Sequence, residues 1–102
     1  MKLLEVLKVE DCFDGGLRLE YRFDGEIAEP LMRGLATGAR LDYFPDFPKP
    51  FFKIIRDDGV QIKGILGTAD IEVFLPSTQK DEVKKIFDAE LLQLLQAASA
   101  AN

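Results

Sequence analysis

The stretch Val60-Gln61-Ile62-Lys63-Gly64-Ile65-Leu66-Gly67-Thr68-Ala69-Asp70-Ile71-Glu72-Val73-Phe74-Leu75 reads as two strands and the turn between them. Gly67-Thr68 suits a two-residue type II′ turn with glycine first. That turn sets a register in which Lys63 lies opposite Glu72 on one face, while Ile62 meets Val73 and Val60 meets Leu75 on the other. Opposite charges outside and branched apolar pairs inside describe an antiparallel sheet with one wet face. Just upstream, Asp57-Asp58-Gly59 is a hairpin signal, so residues 51–56, 60–66 and 69–75 form a three-stranded meander.

Residues 3–13 and 17–24 read as a further hairpin. Leu17, Leu19, Tyr21 and Phe23 alternate with Arg18, Glu20, Arg22 and Asp24, the period-two pattern of a half-buried strand. Asp14-Gly15-Gly16 suits a three-residue loop with Gly16 left-handed. The resulting register pairs Phe13 with Leu17, Val9 with Tyr21 and Leu7 with Phe23 on one apolar face.

Two helices complete the order. Over 27–37 an apolar stripe recurs at Ile27, Leu31 and Leu35, with Pro30 in the first turn, Gly38 as the stop and Gly34 available for close packing on the sheet. From 79 into the high nineties, Thr78 is the expected N-cap, with Asp81 and Glu82 in the first turn. Val83, Ile86, Phe87, Leu91, Leu94 and Leu95 form the buried stripe. The order ββαβββα predicts an α+β domain: an antiparallel sheet of about five strands with two helices packed on one face. An N-terminal hairpin followed by a helix also opens the β-grasp fold, the alternative topology.

Composition narrows the function. The 102 residues fit one domain, 1–102. Thirteen Lys+Arg against eighteen Asp+Glu give a net charge of -5, which opposes both phosphate backbones and anionic membrane surfaces. Neither nucleic acid nor membrane is an expected partner. Acids as early as Glu5 do not suit a secretory leader, and no apolar run reaches the ~20 residues of a membrane span, so the expected compartment is the cytoplasm. Cys12 is the only cysteine and there is no histidine. These absences remove the Ser-His and Cys-His nucleophile pairs and the imidazole ligands of most catalytic zinc sites. No metal or other cofactor is expected. Cys12, lacking a histidine to activate it, reads as inert.

The most unusual segment runs from Tyr43 to Phe52. It holds five of the ten aromatic residues and three of the five prolines. Proline bars it from the centre of a sheet, and it should run extended with its rings on a stiff frame. It is either a recognition loop or a rigid crossover that finishes the core. On the meander register, Ile65 and Phe74 point away from the core. Strand 51–56 is apolar on both parities, so Phe51/Ile55 or Phe52/Ile54 joins them. Exposed apolar patches of several hundred Å² mark interfaces. A homodimer through this face, or through the Leu91–Leu95 helix end where Leu92 lies off the stripe, is one way to cover the excess.

The remaining candidates have plainer readings. Asp57-Asp58 is turn chemistry. Arg18, Arg22, Lys53 and Lys63 belong to a mixed solvated face, and Gly64 and Gly67 form no phosphate-binding fingerprint. The expected function is thus a non-enzymatic interaction or regulatory module. It binds a protein partner, or a second copy of itself, through Tyr43, Phe44, Phe47, Phe51 and Phe74. The alternative is a small-ligand domain with an apolar pocket between helices and sheet, under the 43–52 loop. Least favoured is an enzyme drawing on carboxylates with Tyr21, Tyr43 and Lys53 as acids or bases.

Overall fold

The computed structural model describes residues 1–11 and 15–100, with side chains described through Ala97. Its elements are β1 (Leu3–Asp11), β2 (Leu17–Phe23), α1 (Glu29–Leu35), β3 (Arg40–Phe44), β4 (Phe51–Ile55), β5 (Gln61–Ile65), β6 (Asp70–Leu75) and α2 (Lys80–Ala100). The strands form one six-stranded sheet in the order β1-β2-β6-β5-β4-β3. The α+β class, the antiparallel sheet and the two helices are as expected. The meander register holds too, with Ile62 opposite Val73 and Lys63 opposite Glu72. Asp57-Asp58-Gly59 closes the β4–β5 hairpin: Gly59 has φ 92°, and Asp58 Oδ1 accepts from the Val60 N–H at 3.1 Å. The β5–β6 connection differs in type. Thr68 N–H donates to the Ile65 carbonyl at 3.3 Å, so Gly67 (φ 91°) is the third residue of a turn over 65–68, not the first of a type II′ pair.

Six strands replace the expected five. The additional strand, Arg40–Phe44, sits at the sheet edge against β4. Leu41 and Tyr43 pack on the core from it, and the prolines fall after it, where an edge strand ends. Every strand pair is antiparallel, and β1 and β6 are not neighbours; a β-grasp sheet sets its first and last strands side by side and parallel. The first hairpin adopts another register. Val6, not Val9, lies opposite Tyr21, and Leu3, not Leu7, opposite Phe23. Register shifts at Leu3/Glu5 and Lys8/Glu10 let Leu3 and Val6 reach the core and turn Leu7 outward, opposite Glu20. Leu17 aligns with Asp11, and Gly15 (φ 88°), not Gly16, is left-handed. Cys12, Phe13 and Asp14 lie outside the described residues.

Both helices cover the same face of the sheet. α1 is shorter than expected because Ile27 is held elsewhere: its N–H donates to the Thr68 carbonyl at 2.7 Å, and its carbonyl accepts from Gly67 at 2.9 Å. Ala28 is therefore the N-cap, with Pro30 in the first turn. In α2 the first intrahelical bond runs from the Val83 N–H to the Gln79 carbonyl, 3.0 Å. The cap is thus Gln79, at φ 54°, and not Thr78. Val83, Phe87, Leu91 and Leu95 are buried, whereas Ile86 is 55 % exposed; spacing of four keeps the seam narrow and leaves Ile86 on its flank. A Cβ at Gly34 would meet Leu94 Cδ2 at 2.8 Å, so this glycine lets the two helices approach each other instead of the sheet.

Polar contacts tie α2 down. The Tyr21 hydroxyl donates to Asp88 Oδ1 at 2.5 Å, and Lys84 reaches the other carboxylate oxygen at 2.7 Å. Arg56 donates to Glu90 at 2.6 Å and to Asp58 at 3.1 Å, with its guanidinium over the Phe87 ring. No helix among the described residues is long and apolar enough to cross a membrane.

Two consequences can be measured. A Cβ at Gly64 would stand 2.6 Å from the Phe52 ring and 3.2 Å from Ile71, both buried. Gly64→Ala should lower the stability by about 1–3 kcal/mol through overpacking, seen as a reduced urea midpoint with an unchanged slope. Burial, then the hydrogen bond and charge of Asp88, pushes the Tyr21 hydroxyl far above its ordinary value of about 10. The unfolded chain releases that proton first, so this contribution is complete below pH ~10 and is lost as pH rises further. Tyr21→Phe should flatten the decline in stability between pH ~9 and ~11 relative to wild type.

Candidate interaction surface

Side chains alternate across a strand, so covering one face with helices leaves the odd set of residues on the other. The observed registers align them in rows. The middle row, from β1 to β3, reads Leu7, Glu20, Glu72, Lys63, Lys53, Asp42. On one flank Phe44, Phe51 and Ile65 are neighbours, continued by Asp70, Arg22 and Glu5. On the other lie Arg40, Ile55, Gln61, Phe74, Arg18 and Glu10.

Three rings of the aromatic segment gather at one corner of this face. Phe44 stacks on Phe47 at 5.5 Å between centroids and on Phe51 at 5.9 Å. Phe44 is 42 % and Phe47 55 % exposed; Phe51 is half-buried. The sheet itself supplies the frame, since Phe44 ends β3 and Phe51 begins β4, directly opposite. Phe74 sits at the other end of the face, half-buried, with Lys63 Nζ 5.1 Å and Arg18 Cζ 6.0 Å from its ring centre. Tyr43 does not belong with them. It points to the helix side and packs on the core, as does the fully buried Phe52. Of the two parities in strand 51–56, Phe51/Ile55 is the outward one.

In the middle row like charges adjoin, although Asp42 lies opposite Lys53 and Glu72 opposite Lys63. Glu20 lies directly opposite Glu72, and Lys53 directly opposite Lys63. Like charges in that relation are destabilising. On the acidic side Arg22 and Arg18 offset part of this, with Arg22 at 3.4 Å from Glu20 and Arg18 at 3.8 Å from Glu72. Asp70 still has its carboxyl held above the usual range, first by burial and then by the hydrogen bond and charge of Glu20. Among the described residues, Lys53 and Lys63 make no ion pair. Sequence reasoning recognised the Lys63/Glu72 pair but not these flanking repulsions, which need the order of all six strands. Leu7 was missed because residues 3–9 are apolar on both parities.

The other candidates do not converge. Tyr21 is engaged with Asp88 under α2, Tyr43 faces the core, and Lys53 lies on the opposite face. Among the described residues no group of three acidic, cysteine or histidine side chains is placed to hold a metal. The interior under the helices is filled, with Phe52, Ile54, Ile62, Val73, Phe87 and Leu91 all at 0 % exposure. A depression of about 220 Å³ lies instead on the outer face, lined by Phe51, Lys63, Ile65, Asp70 and Glu72. A groove of about 510 Å³ runs between the start of β1 and α2, past Leu3, Leu92 and Leu95. Comparison with protein-family models, curated proteins and solved structures gave no match.

The rings divide cleanly by the side of the sheet they occupy, and stability should follow. Phe44→Ser with Phe47→Ser should lower the unfolding free energy by no more than about 1 kcal/mol. Phe52→Ala should lower it by about 3–5 kcal/mol. Urea denaturation of the two variants reads this contrast directly.

Proposed function

We propose that this protein is a non-enzymatic interaction module that binds a protein partner through the uncovered face of its sheet, with Phe44, Phe47, Phe51 and Phe74 as anchors. The observation that carries this reading is the exposed Phe47–Phe44–Phe51 stack, continuous with Ile65 on a face no helix covers. Aromatic side chains held by a sheet supply contact area at little entropic cost. The net charge of -5 favours a protein over a nucleic acid as the occupant. Chemistry is the weaker alternative, because Tyr21, Tyr43 and Lys53 are spread over both sides of the sheet.

Site-specific photocrosslinking tests the reading. With a benzophenone amino acid at position 47, illumination in living cells should give one discrete protein adduct. The same probe at exposed position 85 on α2 should not. Equal labelling from both positions, or none from position 47, would remove the support for a docking face.

A further inference from the structure

Three features of the outer face are unexplained within one chain. Its middle row carries like charges side by side, Glu20 and Glu72 on β2 and β6 and Lys63 and Lys53 on β5 and β4. It leaves apolar side chains at opposite edges, Phe44 on β3 and Leu7 on β1, 42 % and 36 % exposed. And the two like-charged pairs of the middle row meet at the midline of the sheet, between β6 and β5, with three strands on either side.

We infer that the partner is a second copy of this chain, docked face to face about a two-fold axis that runs along the strands between β5 and β6. This deepens the reading of the face as a docking surface and rests on it. Such an axis lays β6 over the partner's β5, β2 over its β4 and β1 over its β3, while keeping each row over itself. Glu72 then faces Lys63 of the other copy, and Glu20 faces its Lys53. Each contact occurs twice by symmetry, as in any isologous interface. Lys63 and Lys53, which make no ion pair among the described residues of one chain, each gain a carboxylate, and Glu72 and Glu20 gain a cation besides Arg18 and Arg22. Ile65 and Phe74, on the two strands beside the axis, lie over Asp70 and Gln61 of the other copy, one strand spacing from their own symmetry mates. Phe44 comes to lie over Glu5 of the other copy and diagonally beside its Leu7, which lies over Asp42.

The charge pattern selects this axis over the other in-plane choice. An axis perpendicular to the strands lays each strand over its own copy, which sets Glu72 on Glu72 and Lys63 on Lys63. Edge-to-edge pairing is also disfavoured. β1 is interrupted twice by register shifts, and β3 has only five residues, beginning at Arg40 and followed by Pro45, devices that blunt a sheet edge. Stacked sheets sit about 10 Å apart, close enough for outward side chains to interdigitate. Six strands at about 4.8 Å and five residues at about 3.3 Å give a face of about 24 by about 17 Å, about 400 Å² per copy and about 800 Å² for the pair, below the size of stable interfaces and in the range of weak, transient ones. Self-association in the micromolar range is therefore expected.

Sedimentation equilibrium of the full chain across the micromolar range, with circular dichroism to verify folding, tests this. The wild type should show a monomer–dimer equilibrium. E72K sets lysine against Lys63 of the other copy, twice, and should raise the dissociation constant at least about tenfold. The double variant E72K/K63E keeps the cross-strand pair within each chain and restores opposite charges across the axis. It should return to within about threefold of wild type. Should E72K fold poorly, K63E provides the same single-reversal comparison. A wild type that stays monomeric throughout overturns the inference, as does an E72K/K63E variant no tighter than E72K, or single reversals without effect. The two readings fail separately. A monomer whose position-47 probe captures a different protein overturns self-docking and leaves the interaction role standing; a monomer that captures nothing removes both.

Discussion

Two helices on the same side of a six-stranded sheet leave the other side to water or to another molecule. The arrangement follows from the connections. β2 leads through α1 to the far edge at β3, and the chain then returns strand by strand to β6, beside β2. From there α2 lies back along the layer already occupied by α1, where Gly34 admits Leu94. All the large apolar residues of one strand parity are used in that layer. Whatever apolar residues stand on the other parity remain uncovered.

The contact between Phe52 and Gly64 settles which residues those are. In sequence, Phe51-Phe52-Lys53-Ile54-Ile55 is apolar on both parities, and periodicity cannot choose between them. The neighbouring strand can. Gly64 faces Phe52, and the absence of a side chain there makes room for the larger ring. With Phe52 inward, Phe51 must turn out. The aromatic surface is thus a consequence of filling the core well, and its position is tied to the register of the central strands.

The meander was legible because two kinds of information agreed: turn residues fixed the offset, and a polar-against-apolar parity confirmed it. Where the parity was ambiguous the reading failed. Leu3-Leu4-Glu5-Val6-Leu7-Lys8-Val9 offers apolar residues to either face, and register shifts are invisible to an argument that assumes strict alternation. Arg40–Phe44 was hidden for a different reason. Its inward pair, Leu41 and Tyr43, adjoins a proline-rich run, and the prolines' constraint was extended backward over residues that do not share it. The helix ends failed locally: Ile27 was drawn into a backbone bridge with the β5–β6 turn, and a left-handed Gln79 displaced the cap from Thr78. Of the candidate surface, Phe44, Phe47, Phe51 and Phe74 were legible from aromatic content and parity; Tyr43 was not, since its side depended on a strand the sequence had concealed.

The polar groups of the chain divide between two tasks. On the helix side, Tyr21 with Asp88 and Arg56 with Glu90 join α2 to the sheet and its β4–β5 turn, so the residue types most suggestive of chemistry are occupied in attachment. Arg56, whose side chain is only 14 % exposed, also lies over Phe87, combining an ion pair with the packing of its guanidinium on a core ring. On the outer side Arg18 and Arg22 join β2 to Glu10 and Glu5 of β1, but the middle row is arranged less favourably. Setting Glu20 against Glu72 and Lys53 against Lys63 weakens the sheet, and a solvated face interleaving the same residues would avoid that penalty. Stability therefore does not account for the pattern. On the proposed docking role the pattern has a use, because like charges grouped along a flat face give it a direction that its phenylalanines alone would leave undefined.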